Sequence, residues 1–397
     1  MYDVIVVGAR CAGAPTAMLF ARSGYRVLMV DSARFPRDKL STLYIHQPGV
    51  AFLKRWGVLD AVVATGCPPI KRVVYQMDDV RLEGCSWPVD GVQVAYAPRR
   101  HLLDPILAAA AAKAGAEFRD GCAVTDLLRV GDRVVGVRLH TQADGIVEER
   151  APLVVGADGM NSRVGTSADA PMTVEHPIFT CAYYAYWSGL SAERAKFEIY
   201  GVSGRLVGAV PTNDGHTLVT AYFPQDEFAR VRTAAQDNYL ENVRTVAPGL
   251  YSRMAEGSQA GRLYGFGNQR NFLRAAAGPG WALVGDAGHH KDSITARGIS
   301  DAFGQAQLLV DTVGDGLHDE SRLQEALQRY RSERDELVLE GYESTLAMAR
   351  LHPKRQLKML RAIATDPALV ECFFATMAGA CPASELLSRM RTAVQNG

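Results

Sequence analysis

Four apolar residues, Val4 to Val7, run without a polar break and end at Gly8. Such a run suits a parallel strand buried on both faces, because alternation disappears when neither face meets water. A helical pattern follows from about Gly13 to Ser23. Pro15 falls in its first turn, where the missing N–H is harmless, and Gly24 stands at the stop. Positions 13, 17 and 21 are Gly, Ala and Ala, a small face that lets the helix lie close on a sheet. Tyr25 to Val30 repeats the buried-strand texture and ends at Asp31. The chain therefore opens with a strand–helix–strand unit.

Residues 34–70 read as mixed loop and helix, and 71–97 as two strands with turns at Asp78-Asp79 and Asp90-Gly91. A helix is predicted from Arg100 to Gly115, where Leu102, Leu103, Ile106 and Leu107 precede an alanine run. Turns at Gly131-Asp132 and Asp144-Gly145 break alternating segments into a small antiparallel meander. Leu153 to Val155 is another buried strand. From about 171 to 264 the texture becomes alternating and aromatic-rich, as in CAYYAYWSG, with one helix expected over 226–247. The parallel-strand texture returns at 281–288, followed by a helix from Gly298 to Val313 and a largely helical remainder beyond Asp319. No linker or repeat separates these parts, so a second unit is inserted into the first. The fold class is α/β: a discontinuous unit of residues 1–70, 98–170 and 265–317, an antiparallel-sheet unit of 71–97 and 171–264, and a helical region over 318–397.

The 397 residues carry 43 basic and 43 acidic side chains, so net charge offers no reason to expect nucleic acid or an acidic membrane surface as partner. No run of about 18 uncharged apolar residues is present, so no membrane span is expected. The amino terminus, with Asp3 before its apolar run, does not read as a signal peptide. Seven cysteines stand singly with no C-x-x-C pair, which argues against a zinc ribbon or dithiol motif and for a reducing cytoplasm. No metal is expected.

Three turns carry the chemistry. Gly8-Ala9-Arg10-Cys11-Ala12-Gly13 joins the first strand to the first helix, with glycine where the backbone bends and where helix meets strand. Arg10 stands where the middle glycine of a dinucleotide turn is usual. Asp31, 18 residues beyond Gly13, sits at the tip of the next strand, placed to accept hydrogen bonds from ribose hydroxyls. The helix amino terminus offers free N–H groups to a pyrophosphate. Gly156-Ala157-Asp158-Gly159 and Gly285-Asp286-Ala287-Gly288 each follow an apolar strand, which puts each carboxylate at the ligand-binding edge of the sheet.

The order of these motifs, with Arg100 opening a helix between them, resembles the flavoprotein monooxygenase superfamily with the p-hydroxybenzoate hydroxylase fold. That superfamily includes geranylgeranyl reductases and flavin-dependent halogenases. The resemblance spans about residues 1–315 and implies a Rossmann-like (GR2-type) FAD-binding domain with an inserted antiparallel-sheet substrate domain. It implies that Gly8, Arg10, Cys11, Ala12 and Gly13 hold the FAD pyrophosphate, Asp31 the adenosine ribose, and Val124 the side of the adenine. Arg100 would contact the cofactor, Asp158 would shape the FAD and nicotinamide surfaces, and Gly285 and Asp286 would meet the ribitol or pyrophosphate. Gly298 and Ile299 would aim N–H groups at the flavin pyrimidine edge. Four positions depart from the family: Arg10, Ser293 where proline is frequent, Ala296 in place of a glycine, and Gly165 where an arginine often closes the second motif.

The implied reaction is hydroxylation of an aromatic or conjugated small molecule with NAD(P)H and O2, through a flavin hydroperoxide. The alternative is reduction of isoprenoid or conjugated double bonds. Halogenation is disfavoured because no two of Trp56, Trp87, Trp187 and Trp281 have W-x-W spacing. A non-catalytic nucleotide-binding module would not need the third turn with a helix behind it. Tyr184, Tyr186 and Trp187 are expected to line the substrate pocket, although alternation sets Tyr184 and Tyr186 on one face and Tyr183 and Trp187 on the other. His46 is a candidate general base with a pKa near working pH or, the reading favoured, a satisfied surface or core histidine, and Tyr186 is a further catalytic candidate. Arg297 is a substrate anion clamp or, the reading favoured, a surface charge. The carboxy-terminal helices would cap the pocket or form a homodimer surface.

Overall fold

In the computed structural model the described residues are 1–39, 41–141, 145–190, 196–352, 354 and 356–395. Leu40, and Asp144 of the expected turn at Asp144-Gly145, fall outside them. The opening unit forms as read: strand β1 (Val4–Val7), helix α1 (Gly13–Arg22) and strand β2 (Val27–Val30). Strand β2 starts two residues later than its apolar run, because Tyr25 is held in the turn, with its N–H on Phe20 O at 3.2 Å and its hydroxyl on Gly314 O at 2.6 Å.

Strand β1 pairs in parallel with β2 on one side and with β9 (Leu153–Gly156) on the other. Strands β5 (Glu117–Arg119) and β18 (Trp281–Leu283) extend the sheet in parallel, and β17 (Ala277–Gly278) closes it antiparallel. The period of two divides β1 between two cores. Val4 and Val6 face α1, α4 (Arg100–Lys113) and α9 (Gly298–Val313). Ile5 and Val7 face the meander of β6 (Ala123–Val130), β7 (Arg133–Thr141) and β8 (Gly145–Arg150). With both faces covered, an uninterrupted apolar strand is what the sheet requires.

A second sheet of seven strands runs in the order β15 (Ser258–Phe266), β11 (Thr180–Ser188), β14 (Thr217–Pro224), β13 (Arg205–Pro211), β12 (Lys196–Val202), β3 (Arg72–Met77), β4 (Val80–Gly84). It is antiparallel except where β12 meets β3 in parallel. Beside it, β10 (Met172–His176), β16 (Asn271–Arg274) and β19 (His289–His290) form a small bridge of three strands. Two short helices, α2 (Gln47–Arg55) and α3 (Leu59–Val63), follow β2, and α5 (Arg163–Ser167) follows β9.

The helix expected over 226–247 is broken. Ala234, at φ −137° and ψ 58°, separates α6 (Phe228–Thr233) from α7 (Ala235–Val246), and α8 (Pro248–Glu256) follows. Beyond α9, the 30-residue α10 (Glu320–Ala349) leads to α11 (Leu357–Ala364), α12 (Pro367–Ala378) and α13 (Ala383–Gln395). No helix among the described residues is long and apolar enough to cross a membrane.

The two faces of the seven-stranded sheet are unlike. Tyr184, Tyr186 and Tyr222 point into a core closed by α11, α12 and the loop carrying Ile294 and Ala296. Tyr183 and Trp187 point the other way, into a core shared with α7 and α8. This corrects the expectation that Trp187 lines the pocket. Alternation puts it on the opposite face, where its indole N–H donates to Tyr239 Oη at 2.9 Å in a buried pair. Trp187→Phe deletes that bond and is expected to lower unfolding stability by about 1–2 kcal/mol, read from the urea midpoint. An unchanged midpoint would contradict the structural role.

Candidate functional site

The three turns read from sequence meet in space, and they meet too closely for side chains. A Cβ on Gly8 would lie 2.3 Å from Ala157 O, one on Gly13 would lie 1.7 Å from Gly8 O, and one on Gly285 would lie 2.9 Å from Ala12 Cβ. Gly8 and Gly285 also hold φ of +102° and +64°, a region that glycine enters freely. The Asp31 carboxylate closes the same turn, accepting from Ala9 N at 3.0 Å and Ala33 N at 2.8 Å. No side chain caps the amino terminus of α1; Ala14 N–H is taken by Arg10 O at 2.9 Å and Pro15 has none, so the Gly13 N–H is the one left for an anion. Cys122 N donates to Asp31 O at 2.8 Å, which fixes the start of β6 and sets the buried Val124 two residues further along it.

The side chains over this turn are organised by a residue that the sequence reading passed over. Asp104, fully buried on α4, accepts from Arg10 Nη1 at 2.8 Å and from Arg100 Nε and Nη2 at 2.8 and 3.1 Å. Cys11 Sγ donates to the same carboxylate at 3.5 Å. Arg10 Nε also lies 4.0 Å from Asp31, and its guanidinium stands over the Phe35 ring. Charge-assisted bonds of this kind are short and directional. They hold both arginines against the glycine turn, Arg10 between Asp104 and Asp31 and Arg100 on Asp104. Burial pushes the Arg100 pKa down, but Cys11, Asp104 and the nearby Asp286 outweigh it and raise it. The spacing Arg100-x-x-x-Asp104 inside an alanine-rich helix was the available signal, an i,i+4 pair on one face.

Asp286 is exposed on a single helical turn after β18 and is felt by Arg100, Lys39 and Lys291. Asp31, Arg100 and Asp286 are thus linked, through Arg10 and Asp104, at one edge of the sheet. The amino terminus of α9 opens onto space: no side chain caps it, Gly298 is exposed, and a Cβ there would meet nothing within 4 Å. Ile299 behind it is buried. Glycine turns that exclude Cβ atoms, a carboxylate at the tip of β2, two anchored guanidiniums and an open helix terminus match the groups of an extended dinucleotide. The residues present fit FAD.

Asp158 takes a local duty. It accepts from Ser162 Oγ at 2.5 Å, Arg163 N at 2.7 Å and Val164 N at 3.2 Å, which ties off the start of α5. Burial pushes its carboxyl up against those bonds. The space beside Gly165 is filled from another strand, because a Cβ there would stand 2.3 Å from Arg274 Nη1.

The catalytic candidates are buried or half-buried. His46 is buried, with Nε2 3.2 Å from Thr295 O and its ring edge-on to Tyr44. Burial, with help from Arg297, lowers its pKa to about 4. It is a neutral strut between α2 and the loop before α9, not a base poised near pH 7. Arg297 is neither a surface charge nor a free clamp. Its guanidinium packs onto Gly341 and Gly379, 3.0 and 2.4 Å from where their Cβ atoms would stand, and its Nε faces Asp301 at 3.5 Å. Tyr186 lies under the Arg99 guanidinium at 4.4 Å, and Arg99 pairs with Asp38 at 2.6 Å. Burial pushes the Tyr186 phenol up to about 12, so it stays protonated. Tyr184 shares its face with Tyr222, whose hydroxyl lies 3.0 Å from Ser293 Oγ. Among the described residues no three His, Cys, Asp or Glu are grouped to hold a metal ion.

Because the unfolded His46 takes up its proton near 6.5 and the folded one only near 4, its contribution to stability is present above pH 6.5 and is lost as pH falls toward 4. By pH 4.5 the loss is roughly 2 kcal/mol. Urea midpoints at pH 7 and 4.5 should show a smaller acid loss for His46→Gln than for the wild type. Equal losses would contradict the assignment.

Comparison with known proteins gives a consistent picture. The family described as "FAD binding domain" matches residues 1–341. The digeranylgeranylglycerophospholipid reductase of Methanosarcina acetivorans is 28% identical over 315 residues, which are 78% of this chain and 74% of that protein. The structure of the flavin-dependent brominase Bmp2 superposes with a TM-score of 0.80 at 17% identity, covering 100% of this chain and 98% of that one. PqsL from Pseudomonas aeruginosa, described as a probable FAD-dependent monooxygenase, gives 0.74 at 21% identity over 90% of this chain and 99% of its own. These two structures show the fold.

Proposed function

This chain belongs to the FAD binding domain family, and from that membership we propose that it is an FAD-dependent monooxygenase that uses NAD(P)H and O2 to hydroxylate an aromatic or conjugated small molecule. The coarser statement, an FAD-dependent oxidoreductase, is what the family itself establishes. FAD, when bound, supplies the electron transfer and oxygen chemistry. The protein's part is to hold the cofactor, exclude water and orient the substrate.

On this reading Arg10, Arg100 and the α1 terminus bind the pyrophosphate, Asp31 the ribose, Asp286 the ribitol side, and Gly298 and Ile299 the flavin edge. Residues 1–70, 98–170 and 265–317 carry the cofactor, 71–97 and 171–264 the substrate, and 318–397 close the pocket.

The observation that carries hydroxylation over lipid reduction is the chemistry of the aromatic face. The Tyr44 and Tyr184 side chains are largely buried there, burial raises both phenols, and no hydrogen bond among the described residues occupies either hydroxyl. A compact substrate bearing oxygen or nitrogen would satisfy these groups, whereas a saturated or polyene chain would not. The reductase relative supports the second reading, reduction of isoprenoid or conjugated double bonds.

The readings separate on oxygen. Under hydroxylation, a phenol or aniline from a test panel accelerates NAD(P)H oxidation in air and its product gains one oxygen atom by mass spectrometry. Tyr184→Phe then raises KM roughly tenfold, the loss of one hydrogen bond of about 1.4 kcal/mol, with flavin content unchanged. Turnover that persists without air and adds two hydrogens to a polyene would overturn it in favour of the reductase.

A further inference from the structure

Behind the open end of α9 lies a buried charge cluster that the proposed reaction does not use. Lys291, 8% exposed, follows β19 and donates from Nζ to the Asp301 carboxylate. Its Nζ also lies 3.4 Å from His289 Nε2. Asp301 stands in the first turn of α9 and is faced from the same helix by Arg297 at 3.5 Å. Burial pushes the Asp301 carboxyl up, but Lys291 and Arg297 outweigh burial and hold it well below the carboxylate range. Burial, with Lys291 beside it, keeps His289 neutral. Arg334 from α10 and Asp286 from the third turn are the other charges that reach the cluster.

An acid in the first turn suits the helix dipole, yet it cancels the positive potential that the same terminus offers a ligand. Here that acid sits one turn behind Gly298 and Ile299. Burying a lysine is expensive, and an apolar side chain of similar length would pack without the desolvation penalty. Burial lowers the Lys291 pKa and its bond to Asp301 opposes that; with Lys291 and Arg297 positive and Asp301 negative, the cluster keeps one net positive charge in a site of low dielectric. There a single charge acts strongly on its neighbours. We propose that Lys291, by neutralising Asp301, keeps the amino end of α9 electropositive toward the flavin pyrimidine edge and so sets how readily the bound flavin accepts negative charge. The inference rests on the placement of FAD proposed above. It makes Lys291 a positioning residue for charge rather than a group that touches the substrate.

The test uses the FAD-loaded protein, with sulfite as probe, because sulfite addition leaves oxidised flavin with a negative charge. Lys291→Met is expected to weaken sulfite binding about tenfold, which for a two-electron couple corresponds to a midpoint potential about 30 mV more negative. Asp301→Asn is expected to move both quantities the opposite way, and Lys291→Arg to leave them near wild type. Opposite signs are the diagnostic, since damage to folding or cofactor seating would move both variants alike. If Lys291→Met does not fold, Asp301→Asn and Lys291→Arg still test the sign and the rescue. Equal or tighter sulfite binding by Lys291→Met, or movement of Asp301→Asn in the negative direction, overturns the inference with the cofactor reading intact. A wild-type protein that takes up no FAD overturns that reading and this inference with it.

Discussion

One buried carboxylate organises the cofactor half of this protein. Asp104 has no exposure to water and is bonded to both Arg10 and Arg100. A carboxylate so buried is tolerable only because it is paired, and breaking such a pair by removing one member typically costs about 3–5 kcal/mol. The consequence reaches beyond stability. Arg10 comes from the turn after the first strand and Arg100 from a helix some 90 residues later, so the pairing joins two distant stretches at one edge of the sheet. With both guanidiniums held on Asp104 their rotamers are settled before any ligand arrives, which lowers the ordering cost of binding.

The second half of the site depends on a loop held from several sides. His46 bonds the carbonyl of Thr295, Asp292 caps the turn that follows it, and Gln269 takes both the N–H and the hydroxyl of Ser293. Ala296 in this loop adopts φ +53°, a conformation that costs an alanine energy and persists only where surroundings enforce it. The loop ends at the open terminus of α9 and faces the tyrosines of β11 and β14. Cofactor-binding sheet and aromatic sheet thus share one wall, and Asp38–Arg99–Tyr186 ties them again from the other end.

Much of the frame was legible because it is written in local rules. Val4–Val7 and Leu153–Gly156 are uniformly apolar strands, and α9 runs over Gly298–Val313 as its spacing indicates. The break at Ala234 was not legible, since no proline or glycine marks it. The roles of side chains were harder to read. Whether Trp187 faces substrate or core follows from which face the helices cover, and that is a tertiary fact. For His46 the sequence left a base and a satisfied histidine both open, and burial decides for the second. Asp104 was missed because an acid four residues after an arginine reads as an ordinary helix pair until the fold brings Arg10 to it. Lys291 and Asp301, ten residues apart, gave no sign of their pairing.

The central claim is that the two arginines anchored by Asp104 receive the dinucleotide's phosphates. A crystal structure of the protein with FAD tests it directly. The account predicts phosphate oxygens within hydrogen-bond distance of Arg10 or Arg100 and of the Gly13 N–H, with both arginines still on Asp104. Phosphates lying elsewhere, or arginines that abandon Asp104 when the cofactor binds, would contradict it.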